Sequence, residues 1–181
     1  MADYGQPVFS ESVSFVTGSA GGARYALGTR RVDEGGNLYV YGYNASAVVL
    51  EPGCPVLIGS SNTGYSFTAT NAASQVGLIA ACVHNASIAT DSYGWFMVRG
   101  LCRIAPDGTT GAVSMDAGKY LTVGVAANGQ GGWTSCPVTL ATGMRFGYSV
   151  ESIVTGYGGS ASHATSGLAA MGRGWIKTLL G

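Results

Sequence analysis

Leu38-Tyr39-Val40-Tyr41-Gly42-Tyr43 alternates an all-tyrosine row with a row that begins Leu, Val. Successive side chains of an extended strand leave opposite faces, so Tyr39, Tyr41 and Tyr43 share one face and Leu38 and Val40 the other. The same period recurs at residues 119–126, where Leu121, Val123 and Val125 line a common face. Short segments of strand character also lie at 12–16, 47–50, 55–58, 65–69, 76–83, 94–104, 112–115, 136–140, 144–151 and 174–180. Between them fall Pro52-Gly53, Asp107-Gly108 and Asn128-Gly129, pairs that supply the backbone angles of tight turns. Many short strands at this spacing predict an all-β chain: a single compact β-barrel or β-sandwich domain over residues 31–181. Glycine interrupts nearly every helical stripe, so little helix is expected, with one short turn around 161–171.

The chain has 181 residues, enough for one compact domain with its own core. Charged residues make up only 10 % and balance to zero, while 46 % of the chain is hydrophobic. Disorder requires the opposite combination. A chain with so few charges and no net charge tends to associate, which predicts a surface covered by partners and a homo-oligomeric state. Balanced charge also argues against nucleic acid, whose binding draws on a concentrated field of Lys and Arg. The start Met-Ala-Asp-Tyr-Gly shows no basic-then-apolar leader, and the apolar run from Val76 to Val83 is too short to span a bilayer. No membrane partner is therefore expected, and assembly in a cytoplasm is.

Residues 1–30 read differently. Gly18, Gly21, Gly22 and Gly28 break them up, and few large apolar residues follow Val16. An extended N-terminal arm fits this composition, either reaching a neighbouring subunit or simply fraying.

No catalytic constellation is visible, and no cofactor or metal is expected. Gly111 to Lys119 has the wrong spacing for a phosphate loop, with Tyr120 where a Ser or Thr is required. Gly156-x-Gly158-x-x-Ala161 fits a dinucleotide fingerprint, but no acidic residue follows Glu151 and no room is left for a βαβ unit. The two histidines, His84 and His163, sit far apart, and Cys82-x-His84 has no second close pair to complete a zinc site. Cys54, Cys82, Cys102 and Cys136 are widely spaced and read as buried free thiols. Asn44-Ala-Ser46 and Asn85-Ala-Ser87 match the glycosylation pattern, which has no meaning without a secretory route.

Aromatic residues carry more. Tyr93-Gly-Trp95-Phe-Met-Val98 holds more aromatic bulk than one face of a small core accommodates, and Trp95 is best read as core filler. Tyr39, Tyr41 and Tyr43 are better suited to an interface, because tyrosine combines an apolar body with a polar tip. Phe9 and Phe15 of the arm join them as candidate contacts.

The stretch from Leu27 to Ser46 carries the run G-T-x-x-x-D-x-x-G-x-x-Y-x-Y, with Gly28, Thr29, Asp33, Gly36, Tyr39 and Tyr41 at its fixed positions. It resembles the N-terminal part of small tailed-phage virion proteins. Tyr93-Gly-Trp-Phe-Met-Val-Arg-Gly100 looks like the G-W-V-x-V-x-G strand of the same proteins, and Lys119–Ala126 and Trp175–Leu180 look like their closing strands. The four cysteines and residues 128–171 depart from that pattern. The resemblance implies a non-enzymatic capsid decoration or cement protein. Such a protein binds the major capsid protein on the outside of the head and stabilises the lattice. The alternative is a receptor- or glycan-binding module of a head or tail fibre, in which Tyr and Trp stack on sugars.

Overall fold

A computed structural model describes residues 22–58, 65–69, 79–83, 87–104, 114–124, 132–135, 146–154 and 172–178. The described residues contain strands and turns and no helix. The expected strand 12–16, the expected strand 136–140 and the helical turn at 161–171 lie outside them.

Five strands close into a barrel: β2 (Leu38–Asn44), β3 (Pro55–Ile58), β4 (Ser66–Ala69), β5 (Ile79–Val83) and β6 (Tyr93–Ile104). They pair in the ring order β2-β4-β3-β5-β6 and back to β2. A ring with an odd number of strands cannot alternate direction throughout, so one pair must be parallel. That pair is β2 with β4; the other four are antiparallel. Closure leaves these strands without the open edge that a flat sheet would present. β1 (Arg30–Val32) adds to the outside of β2. On the other side β6 runs past the barrel and carries β12 (Gly172–Lys177), which in turn pairs with β10 (Gly147–Ser149). Among the described residues two further short ladders form: β7 (Ser114–Met115) with β11 (Ile153–Val154), and β8 (Leu121–Gly124) with β9 (Gly132–Ser135). The expected strand at 47–50 is reduced to one bridge, Leu50 with Ile88.

The barrel interior holds Val40, Val56, Phe67, Ala81, Val83, Phe96 and Val98, with Leu50 and Ile88 packed among them. A second apolar cluster covers the outside of the β2–β6 wall and unites Tyr39, Tyr41, Trp95 and Met97 with Ile104, Leu121, Val123, Phe146 and Ile176. The wall is therefore buried on both faces. This explains the aromatic density of Tyr93–Val98: Trp95 and Met97 fill one core while Phe96 and Val98 fill the other.

Two glycines face each other across this wall, Gly42 on β2 and Gly94 on β6. A Cβ on Gly42 would lie 2.1 Å from the Phe67 ring, and one on Gly94 would lie 2.6 Å from Ile88 Cδ1. The barrel is so narrow that Phe67, its ring centre 4.3 Å from that of Phe96 and tilted 44° to it, occupies the space a side chain on Gly42 would need. Cys54, Cys82 and Cys102 are buried and in no disulfide, Cys136 lies outside the described residues, and burial raises the Cys54 thiol well above its ordinary value, with Cys82 and Glu51 adding to it.

Candidate functional site

The tyrosine strand is the first place to look for a contact surface. Alternation along β2 holds as expected, with Tyr39, Tyr41 and Tyr43 outside the barrel and Val40 inside. Exposure does not. Tyr39 is 0 % and Tyr41 1 % exposed, so neither is a surface contact of this chain, and Tyr43 is half-buried.

Tyr39 and Tyr41 lie in the cluster that includes Ile104, Leu121 and Ile176, and over Tyr41 the residues just before β1 add to the cover. Gly28 N–H donates to Tyr41 O at 2.8 Å, and Tyr41 N–H donates to Thr29 O at 2.9 Å, so residues 28 and 29 run along β2 like an extra piece of strand. Gly28 has φ 84°, and a Cβ there would strike the Tyr65 ring. Tyr25 meets Tyr41 edge-on at 5.3 Å and Trp95 at 5.4 Å. The Arg31 guanidinium lies 4.5 Å from the Tyr25 ring centre and 5.0 Å from that of Trp95, a cation over two aromatic faces. Residues 24–30, assigned to the arm from their glycine content, are thus part of the folded domain. Phe9 and Phe15 lie outside the described residues.

Each tyrosine hydroxyl is held. Tyr39 donates to Asp33 Oδ2 at 3.3 Å, and the same carboxylate accepts from the Asn37 backbone N–H at 2.8 Å and from Asn37 Nδ2 at 2.7 Å. Burial, and then the Asp33 charge, push the Tyr39 phenol far above its usual range. The Tyr41 hydroxyl accepts from Arg24 N–H at 3.3 Å, and burial raises its phenol as well. Tyr43 donates to Asp91 Oδ1 at 2.6 Å. The Asp33 side of this network is structural: Asn37 Oδ1 goes on to accept from Leu101 N–H at 2.8 Å, tying the β1–β2 turn to β6.

Comparisons with protein-family models, with curated proteins and with solved structures find no match.

A second surface was not legible as a unit in the sequence. Leu101 on β6 stands opposite Trp175 on β12, Trp175 opposite Tyr148 on β10, and Tyr148 opposite Tyr120 through a single bridge. Cross-strand partners share a face of the sheet, so these four residues form one row across it. Leu101 is 41 %, Tyr148 43 % and Tyr120 51 % exposed, with Trp175 half-buried among them. The Tyr148 and Trp175 rings are near-parallel, with centres 6.0 Å apart. Ile176 and Leu121, one residue further along, point the other way into the core.

Cations flank the row. Arg99 pairs with Lys177 two positions along the strands from Leu101 and Trp175, and Arg103 pairs with Arg173 two positions along on the other side. β6 and β12 thus carry four of the chain's nine Lys and Arg residues and no Asp or Glu. Like charges placed directly opposite each other weaken a sheet. Arg99 and Lys177 are both exposed, and neither has an acidic partner among the described residues. Among the described residues no cluster of three His, Cys, Asp or Glu could hold a metal ion.

Proposed function

We propose that this chain is a virion structural protein that binds the outer surface of a phage capsid and stabilises the head lattice. Its partner is the major capsid protein, its own state is a homo-oligomer, and it joins the capsid surface in the host cytoplasm. The observation that best supports this reading is the anchored origin of the N-terminal segment. Residues 24–29 are fixed on the barrel beside β1, which among the described residues is an edge strand paired with β2 alone, and Val32 of that strand is 60 % exposed. Open edges accept a further strand from another chain. Residues 1–21, with Phe9 and Phe15 among them, precede that anchor and are long enough to span up to about 70 Å if extended. The phage-like run of Gly28, Thr29, Asp33, Gly36, Tyr39 and Tyr41 coincides with this anchor. Sparse, balanced charge suits a surface that is covered in an assembly.

Deletion of residues 1–21 separates attachment from folding. The shortened chain should still fold, because the barrel strands all lie after residue 37 and pair with one another, and a thermal melt checks this. Its retention on purified particles should fall by about tenfold or more, since each lost contact is repeated over the lattice. Undiminished retention would remove the arm from the attachment surface.

A further inference from the structure

We infer that the exposed row Leu101–Trp175–Tyr148–Tyr120, with Arg99 and Lys177 beside it, is a binding site for an anionic polysaccharide of the uronate class. This site is separate from the arm and edge strand β1, and its occupant differs from a capsid subunit.

Size is the first reason. Three strand-to-strand steps make a row about 14 Å long and one side chain wide, a footprint on the order of 100–200 Å². A stable protein complex buries roughly 800 Å² on each partner. The row matches a single extended chain lying across the strands better than it matches a folded protein.

Chemistry is the second. Ring faces carry a negative quadrupole and attract the C–H edges of a pyranose, while the Tyr148 hydroxyl and the indole N–H provide donors and acceptors for sugar hydroxyls. Arg99 offers a fork of donors that fits a carboxylate, and Lys177 adds a point charge opposite it. A carboxylate between them removes the repulsion of two facing cations that no described acid relieves. Nucleic acid shares the need for rings and cations. However, the chain's zero net charge provides no field beyond this patch to hold a phosphate at every nucleotide.

Polygalacturonate, neutral dextran and a thymidine oligonucleotide, each titrated against the isolated full-length chain, decide the matter. Polygalacturonate should bind, dextran should bind at least about tenfold more weakly, and the oligonucleotide weakest of all. Salt should weaken the polygalacturonate complex, because the cations are exposed. The double charge reversal Arg99→Glu, Lys177→Glu should reduce binding by about a hundredfold, and Tyr120→Ala by several-fold, with unchanged melting curves. Trp175→Ala should reduce it by at least about tenfold. Should that variant unfold, the two exposed-residue variants still give the answer. No polygalacturonate binding, equal binding of dextran, charge reversal without effect, or tighter binding of the oligonucleotide would each overturn the assignment. These measurements use no particles, so their failure leaves the capsid reading intact, and the reverse also holds.

Discussion

Asn44→Asp is expected to lose about 5 kcal/mol at neutral pH and to regain stability on acidification, whereas Asn44→Leu should lose about 3 kcal/mol at every pH. Asn44 ends β2 and is wholly buried. Its Nδ2 donates to Val48 O at 3.0 Å, Ile88 O at 2.9 Å and Ala89 O at 3.0 Å, while Oδ1 accepts from Ser46 N–H at 2.9 Å. One side chain therefore joins the end of β2 to the loop at 46–48 and to the Leu50–Ile88 bridge packed in the barrel interior. Leucine keeps the volume but strands the Ala89 carbonyl and the Ser46 N–H. Aspartate is worse, because it turns an oxygen toward three carbonyl oxygens in a fully buried site, a cost of about 5 kcal/mol against a total stability of roughly 5–15 kcal/mol.

Only a protonated carboxyl can donate there, so the introduced group has a raised pKa in the folded state. The folded chain then holds its proton to higher pH than the unfolded chain. Stability is greatest below the unfolded value near 3.9 and falls as pH rises toward the folded value. Thermal melts between about pH 3 and pH 7 measure this. A flat profile for Asn44→Asp, equal to that of Asn44→Leu, would show that the amide is not the donor. Burial of Asn44 also explains the match to the glycosylation pattern: Ser46 is placed two residues on to close a turn around the Asn44 side chain.

Gly42→Val should cost about 3–5 kcal/mol through overpacking. The φ of Gly42 is not among the positive values, so the backbone accommodates a side chain and the penalty is one of space alone. The Cβ position is already occupied by the edge of the Phe67 ring, and Tyr65 O lies 2.9 Å away. Phe67 is wholly buried against Phe96 and has no other place in the barrel. Trimming the obstacle should restore part of the loss: in Gly42→Val combined with Phe67→Leu, the two penalties should fall short of additivity by at least about 1 kcal/mol. Chemical denaturation of the four chains gives the coupling directly. Strict additivity would mean that Phe67 does not fill the space facing Gly42.

Much of the barrel was legible because alternation is local. The segments 38–43, 55–58, 65–69, 76–83 and 94–104 correspond to β2, β3, β4, β5 and β6, and the faces assigned to Tyr39, Val40 and Tyr41 are those observed. Ring closure was not legible, since it depends on joining β2 to both β4 and β6 across long separations in the chain. The burial of Tyr39 and Tyr41 was missed for a similar reason. A strand pattern says which face a tyrosine leaves but not what covers that face, and here the cover is residues distant in the chain, such as Ile104, Leu121 and Ile176, joined over Tyr41 by a segment that looks like a tail. β1 escaped notice because Arg30-Arg31-Val32 reads as a charged approach to the Asp33-Glu34 turn. The outer row combines one residue from each of three strands with Tyr120 just before a fourth, and only the register of β6, β12 and β10 brings them side by side.

The proposed capsid role is tested most directly by the temperature at which purified particles release their genome, measured with and without this chain. A protein that binds only the assembled shell stabilises it by mass action, so particles carrying the chain should rupture several degrees higher, and adding the purified chain back to stripped particles should restore the difference. Identical rupture temperatures for stripped and decorated particles would contradict the capsid-stabilising function.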